Sequence, residues 1–481
     1  MNSRGIAAVI IFVGALIVAI NLLNNAFTAG TSAISYLVKW GGIGLAAISF
    51  MKPRLGVHIV IAEAFLTDYL KKVAVYYGSA SPLTIMEVMI VVMLALIATY
   101  LGRVVSSING FSSPASWTEW SFYIGGAVIA LLVVAGGMLR GDFFGAVQNG
   151  FNSGVYLGVG GLIFGLFRTR EAVLRLIRFQ LLFAVLWGVW ALRQHYFGFT
   201  HIEWEYAKTG LSPVATAQMF IHTYERPRVF GLGSGLPNFF VMAPFAALAI
   251  LLFLTEKNKR LLYGCAAALI LWAVVVAKGK TGIIVAMLIP VAFIFFRAKL
   301  GTVVAYIAGV GFFGLLIGFA GTLRNNLAAI DQTYRKVLGL APEWSIQTFT
   351  PRLEGYLELK DPKNWSFFGI GEGRNHDAVT AILVQYGAIG MVGLFIIMFA
   401  TGFAFHHSIL TIKDSSHRSL AAIFGAAFSI SMVAALMSGY GLFAQPVCLA
   451  LGTFAGAVFA IRRQNEEEAS SEEHSMSEEL L

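Results

Sequence analysis

The chain has 481 residues, of which 58% are hydrophobic and only 12% charged, and its mean hydropathy is +0.76. A soluble globular chain carries roughly twice that charged fraction, so the composition excludes a water-soluble fold and points to one polytopic membrane domain. The net charge of +9 does not call for a nucleic-acid partner, because basic residues in membrane proteins anchor the cytoplasmic loops. Cys265 and Cys448, the two cysteines, both lie inside apolar runs, which leaves no disulfide framework and no cysteine metal site.

Runs long enough to cross a hydrocarbon core of about 30 Å fall in chain order near 6–24, 34–51, 55–72, 83–101, 119–138, 150–167, 175–193, 237–254, 260–277, 281–297, 301–320, 378–402, 419–438 and 442–461. The expected fold is therefore all-α, with about 12–14 transmembrane helices in a membrane domain over 1–463. The first run follows a short Met1–Gly5 lead and reads as an uncleaved helix. The third is the least apolar, since Glu63 and Asp68 interrupt it and Lys71-Lys72 end it; an interfacial or re-entrant segment is the alternative. No internal repeat is evident.

Six basic clusters set the orientation: Lys52–Arg54, Arg168–Arg178, Lys257–Arg260, Arg297–Lys299, Lys413–Arg418 and Arg462-Arg463. With the N-terminus inside and every run spanning, all six face the cytoplasm, and Lys71-Lys72 alone dissents. Two long polar segments, 199–236 and 321–377, then lie on the opposite, periplasmic side. The second carries seven basic and seven acidic residues, a balance that translocates readily. Within it, Thr322–Leu340 has the apolar spacing of an amphipathic surface helix. The last eighteen residues, 464–481, hold seven Glu and no Lys or Arg, and read as a disordered acidic tail in the cytoplasm.

Basic residues are unusual on the side away from the positive clusters, so those found there are the candidates for chemistry. Arg226 and Arg228 close the first long segment in ERPRVFGLGSGLPN. Lys278 and Lys280 sit in the tight AKGKTG link, where ammonium groups beside accessible glycine backbone suit a phosphate as well as an interfacial anchor. Arg352 opens the helical part of the second segment, and Arg374 and His376 close it next to Gly369, Gly371 and Gly373. An arginine fork matches phosphate oxygens. A histidine at a helix start serves as a cap or, near neutral pH, as a general base. The glycine pattern is no dinucleotide turn, because a membrane helix rather than a βαβ unit surrounds it. No histidine pair has metal-ligand spacing.

On RVFGLGSGLPNFF (228–240), AKGKTG and PRLEGYLELKDPKNWSFFGIGEGRNHDAVTAILVQYGAIG (351–390), the chain resembles the O-antigen ligase and O-antigen polymerase family, the bacterial membrane glycosyltransferases of the C-type fold. In the last stretch the similar positions are Arg352, Gly369, Gly371, His376, Leu383, Gly387 and Gly390. The likeness covers roughly 220–400; the N-terminal half matches only as a series of membrane helices. One departure is Gly279-Lys280, where family members often have Ser-Arg. The resemblance implies transfer of a glycan from a polyprenyl (undecaprenyl) pyrophosphate carrier, with no cofactor or metal, at the periplasmic face of the inner membrane. The acceptor would be lipid A core, a growing glycan or a protein, and the anomeric centre would be inverted. It further implies His376 and Arg352 as catalytic residues, with Arg228, Lys278, Lys280 and Arg374 on the pyrophosphate. Polymerase and ligase remain alternatives, with ligase preferred. A transporter of a small anion or solute and a lipid-binding scaffold are the readings from other classes.

Overall fold

The computed structural model describes residues 33–110, 112–139, 143–212, 219, 229–233, 239–297, 301–341, 345–367, 378–437 and 445–479. Among these residues there is no strand. The helices, in order, are α1 (Ala33–Met51), α2 (Pro53–Tyr77), α3 (Pro82–Ile108), α4 (Trp117–Leu139), α5 (Phe143–Gly150), α6 (Val159–Leu166), α7 (Arg170–Phe197), α8 (His201–Lys208), α9 (Phe239–Thr255), α10 (Arg260–Val276), α11 (Lys280–Arg297), α12 (Gly301–Leu338), α13 (Thr350–Glu358), α14 (Ala378–Thr411), α15 (Ser415–Met437) and α16 (Gln445–Glu479). Among the described residues, seven segments are long and apolar enough to cross a membrane: Pro82–Ile108, Trp117–Ala135, Arg170–Phe197, Lys257–Val276, Lys280–Arg297, Ser415–Leu436 and Gln445–Ser471. Val38–Met51 and Met242–Thr255 are shorter apolar helices. The chain is thus a multi-pass, all-α membrane protein. The first run, 6–24, lies outside the described residues.

Helices rather than strands follow from the solvent. In hydrocarbon a backbone amide has no water to bond, so each segment must satisfy its own hydrogen bonds. Close approach between helices then comes from small residues. Gly102 of α3 lies so near α1 that a Cβ there would sit 2.2 Å from the Phe50 carbonyl oxygen. Gly456 of α16 does the same against α6, where a Cβ would come within 2.4 Å of the Gly160 carbonyl oxygen. Such contacts let dispersion, rather than a hydrophobic force between helices, hold the bundle together in lipid.

Contacts between distant residues sort the helix ends into two sets. At one end Arg54 donates to the Leu166 carbonyl at 2.7 Å, Arg170 pairs with Glu256, Arg462 reaches Ser408 Oγ at 3.3 Å and the Asp414 amide donates to Asn465 Oδ1 at 3.1 Å. At the other, Lys72 meets Leu232 and Gly233, Gln194 meets Phe230 and Gly231, and Lys280 meets Ser345. We call the first the basic end and the second the loop end. Helix α2 joins them, with Arg54 at its start and Lys72 near its finish, as does α7 with Arg170 and Gln194.

The structure adds to or changes several expectations. For the third run the structure disfavours the alternative of a surface segment: α2 has 25 residues, about 37 Å at 1.5 Å per residue, and Val57, Val60, Ile61, Ala64 and Phe65 lie in the core. The sixth run is broken, because Phe151–Val155 is π-helical between α5 and α6. Thr322–Leu340 is no separate amphipathic helix, since α12 continues without a break from Gly301 to Leu338. In the acidic tail, α16 runs on to Glu479, with Arg462–Glu466 and Gln464–Glu468 bonds at i,i+4 at its exposed start. Finally, α2 and α14 each carry an irregularity. Glu63 is buried in α2 with Oε2 lacking a hydrogen-bond partner among the described residues, and α14 is interrupted at Gly387.

The two-ended sorting predicts a labelling pattern. Cysteines placed at the exposed positions Lys208 and Glu354 will react with a membrane-impermeant maleimide from one side, and those at Glu171 and Ser416 from the other. Labelling of all four positions from one side would refute the arrangement.

Candidate functional site

The loop end is built around two carboxylates. Glu203 lies on α8, whose start is a capping box: Thr200 Oγ1 accepts from the Glu203 amide at 3.2 Å while Glu203 Oε2 accepts from the Thr200 amide at 2.7 Å. The same carboxylate faces inward, where Oε1 accepts from Gln194 Nε2 at 2.6 Å and from Trp190 Nε1 at 3.0 Å. Lys72 Nζ stands 3.9 Å from Oε1, and the two side chains are 1% and 0% exposed. Arg193 adds a second cation 3.8 Å from Oε2.

This node clamps the chain just after Arg228. Gln194 Oε1 accepts from the amides of Phe230 at 3.0 Å and Gly231 at 2.9 Å, and Gln194 Nε2 donates to the Gly231 carbonyl at 2.8 Å. Lys72 Nζ donates to the carbonyls of Gly233 at 2.5 Å and Leu232 at 3.3 Å, with the Phe230 ring 4.7 Å away. That ring stacks on Phe199 at 5.1 Å. Gly231 is required where it stands: its φ is +65°, and a Cβ would meet the Trp187 carbonyl oxygen at 3.1 Å.

The second carboxylate is Asp331, on the part of α12 that extends past the apolar run. Its Oδ1 accepts from the Ile346 amide at 2.6 Å, and its Oδ2 from Arg335 Nε at 2.9 Å and Ser345 Oγ at 3.0 Å. Ser345 in turn gives its carbonyl to Lys280 Nζ. Hairpin, α12 and the approach to α13 are thereby joined. Arg324 and Glu354 add an exposed ion pair at 2.9 Å between α12 and α13.

Three predicted residues have described positions here. Lys280 is the first residue of α11 and holds the Ser345 carbonyl. Arg352 lies in the first turn of α13, with its guanidinium carbon 5.1 Å from the Phe349 ring centroid. Lys278 closes α10 with a φ of +54°, the one positive value among the described non-glycine residues. Its amide bonds the Val275 carbonyl at 2.9 Å and the next amide, of Gly279, bonds that of Val274 at 3.3 Å, a Schellman cap with lysine where glycine is usual. The structure therefore brings Lys280 against the segment that leads into Arg352. Arg226, Arg228, Arg374, His376 and the glycines at 369, 371 and 373 lie outside the described residues.

Two further glycines of the resembling stretch have a physical account. Gly387 takes φ +64° and ψ −157°, which splits α14. The amides released at Ala388 and Ile389 bond the carbonyls of Ser366 at 2.9 Å and Phe367 at 3.4 Å. The approach to residues 368–377 is thus pinned to the break in α14, where the released amides find backbone partners. Gly390 sits against its own helix, where a Cβ would lie 2.4 Å from Tyr386 Cβ.

Sequence reasoning passed over Lys72, Glu203, Gln194 and Asp331. A signal existed for Glu203, since Thr200-His201-Ile202-Glu203 has capping-box spacing. For Lys72, the signal was its very presence at the end opposite the basic clusters. No family model matches the chain, nor does any curated protein or solved structure.

Two outcomes follow. Burial pushes the Asp331 carboxyl up, but the Ile346 amide, Arg335 and Ser345 pull it down more strongly, leaving it below the ordinary aspartate value of 3.8. A depressed carboxyl stabilises the docked segment above that value and loses the contribution as pH falls through the lower folded pKa. Protection of the 345–358 amides, measured against their intrinsic exchange rates at each pH, will therefore be high at neutral pH and fall in acid below 3.8, and Asp331→Asn will lose that protection already at neutral pH. Separately, Lys278→Gly removes left-handed strain worth about 1 kcal/mol, so its thermal unfolding in detergent will not fall and will rise by up to a few degrees.

Proposed function

We propose that the chain is a membrane glycosyltransferase that moves a glycan from a polyprenyl pyrophosphate carrier to an acceptor hydroxyl. In this reading the protein resides in the bacterial inner membrane with the loop end facing the periplasm, and it is O-antigen ligase-like in its choice of acceptor. The observation that carries the reading is the contact from Lys280 to Ser345 at the end that also holds the Lys72–Glu203 clamp. Cationic residues from stretches far apart in sequence are assembled at one end of a lipid-embedded bundle, the end poorer in basic clusters. A lipid-borne pyrophosphate is a ligand that needs such a place.

The chemistry is a displacement at the anomeric carbon. The acceptor hydroxyl oxygen forms the new glycosidic bond while the bond from the anomeric carbon to the pyrophosphate oxygen breaks. Its electron pair leaves with the polyprenyl pyrophosphate, and the hydroxyl proton passes to the His376 imidazole, a base suited to neutral pH. Charge developing on the leaving group is met by Arg228, Lys278, Lys280 and Arg374, with Arg352 beside the reacting centre. In a partly dehydrated site such charges act more strongly than in water. Attack opposite the leaving group inverts the sugar.

A second reading, a transporter of a small anion or solute, is favoured by Glu63 buried in α2 and by the break in α14 at Gly387, since transporters place ionisable groups and broken helices inside the membrane. Both readings meet one experiment with purified protein in liposomes bearing polyprenyl-pyrophosphate glycan and acceptor. Glycosyl transfer will proceed and will fall by about 100-fold or more in His376→Ala, with detergent melting unchanged. Lys280→Ala will weaken donor binding. Solute uptake without transfer, or transfer at the wild-type rate in His376→Ala, would overturn the assignment.

A further inference from the structure

Midway along α2 the bundle encloses a carboxyl that the proposed transfer chemistry does not use. Glu63 is 7% exposed, and its Oε2 has no hydrogen-bond partner among the described residues. It lies nine residues past Arg54, about 14 Å at 1.5 Å per residue. Tyr156 lies ten residues before Leu166, whose carbonyl Arg54 holds, and so at about the same depth. Both stand near the middle of a hydrocarbon core of about 30 Å. Tyr156 is fully buried and its hydroxyl, too, has no partner among the described residues. The two side chains are close enough to interact electrostatically.

No cation forms an ion pair with Glu63 among the described residues. Of the helices packed on α2, α1 and α3 carry Lys39 and Glu87, which pair at 3.6 Å, while Arg103 of α3 is held by Glu119. Helix α6 has no charged residue, α7 none between Arg178 and Arg193, and α16 none before Arg462. Glu203 of α8 faces Lys72 and Arg193, and Glu205 faces His201 and Lys208. On α2 itself, His58 bonds the Arg54 carbonyl at 2.9 Å and Lys71 pairs with Asp68 at 3.1 Å. A bare carboxylate at that depth costs several kcal/mol; a bound proton removes the charge and with it the cost.

A polar row leads from Tyr156 to the basic end. Its neighbour Val155 closes a π-helical turn, a form frequent at functional sites, and the Val155 carbonyl accepts from Tyr100 Oη at 2.8 Å. The Tyr100 and Tyr123 rings meet edge-on at 5.1 Å. Tyr123 Oη donates to Glu119 Oε1 at 2.7 Å, and Arg103 holds both Glu119 oxygens at 2.8 Å while reaching Ser112 Oγ at 2.6 Å. Glu119 lies against Gly165, where a Cβ would come within 2.6 Å of its carboxyl oxygen, and hence beside the Leu166 carbonyl that Arg54 holds. Ionisable side chains inside a membrane bundle that line up from mid-depth to one end are the parts of a proton relay. We propose that Glu63 is a proton-binding site inside the bundle, loaded and emptied from the basic end along Glu119, Tyr123, Tyr100 and Tyr156. Each hydroxyl gives up one proton as it takes another, so the net transfer is to Glu63 Oε2 and the Glu63 carboxyl alone changes charge. This activity is separate from glycan transfer, to which none of these residues is assigned.

The test needs no glycan. Dicyclohexylcarbodiimide modifies a lipid-buried carboxyl only while it is protonated, and mass spectrometry locates the adduct. The protein is Cys265→Ser/Ser416→Cys in sealed liposomes. Ser416 is exposed at the basic end, so an impermeant polymer-maleimide added outside marks the molecules whose basic end faces out. One side is held at about pH 6 and the other at about pH 9, a span that covers the titration of buried carboxyls. Glu63 will be labelled at least about fivefold more when the basic end meets the acidic side than when it meets the alkaline one. Glu63→Gln, which keeps the volume, will carry no adduct at that position in either orientation. Sodium at fixed pH will leave the labelling unchanged. Labelling that follows the pH at the loop end overturns the inference, as does equal labelling in both orientations or none in either, the outcomes of an acid that only packs. Protection by sodium would assign the site to a metal cation and overturn the proton.

Discussion

The loop end depends on a carboxylate that water does not reach. Glu203 accepts hydrogen bonds from Gln194, Trp190 and the Thr200 amide, and its charge is answered by Lys72 and, farther off, Arg193. Helices α2, α7 and α8 meet at that one group. Were it missing, Lys72 would be a buried cation held only by carbonyls and an aromatic face, and Gln194 would lose the partner that orients its amide toward residues 230 and 231. A buried pair of this kind adds little net stability against an apolar alternative, yet breaking it from one side costs about 3–5 kcal/mol. Its value lies in specifying one conformation for a loop that would otherwise have many.

Asp331 plays the matching part for the second polar segment. It sits on α12 beyond the membrane run, and its bonds to Ile346, Ser345 and Arg335 fold the chain back toward the α10–α11 hairpin, where Lys280 takes the Ser345 carbonyl. The break in α14 at Gly387 completes the pattern, because its released amides are capped by Ser366 and Phe367. Each polar segment is thus tied at a defined point to the bundle. In lipid, where apolar contacts between helices carry no solvent-driven gain, such polar ties are what distinguish one loop arrangement from another.

The helices were legible in the sequence to the extent that lipid dictated them. Each apolar run from 34–51 onward contains helix, because the bilayer admits no other economical backbone there. What local windows left open shares a cause. Helix α2 left an interfacial alternative open because Glu63, Asp68 and Lys72 lowered its hydropathy, yet Lys72 is compensated by groups 131 and about 160 residues away, which no local window contains. The helical extension of α16 past Arg463 was hidden in the same way: composition registered a run of Glu, whereas i,i+4 partners at Arg462 and Gln464 carry the helix onward.

The sequence alone determined that this is a membrane protein, where its apolar helices run, and which basic residues stand away from the positive clusters, since hydropathy and charge are local properties that a bilayer reads directly. The link between the Lys278–Lys280 hairpin and the segment that opens at Arg352 was decided by the tertiary structure, through Asp331 and Ser345. So was the role of Lys72, which reads as an anomaly along the chain and becomes the counter-charge of Glu203 in three dimensions. Pairing of buried charges is a matter of distance in space, and in a bundle of long helices the residues that meet at one end come from turns far apart in the chain.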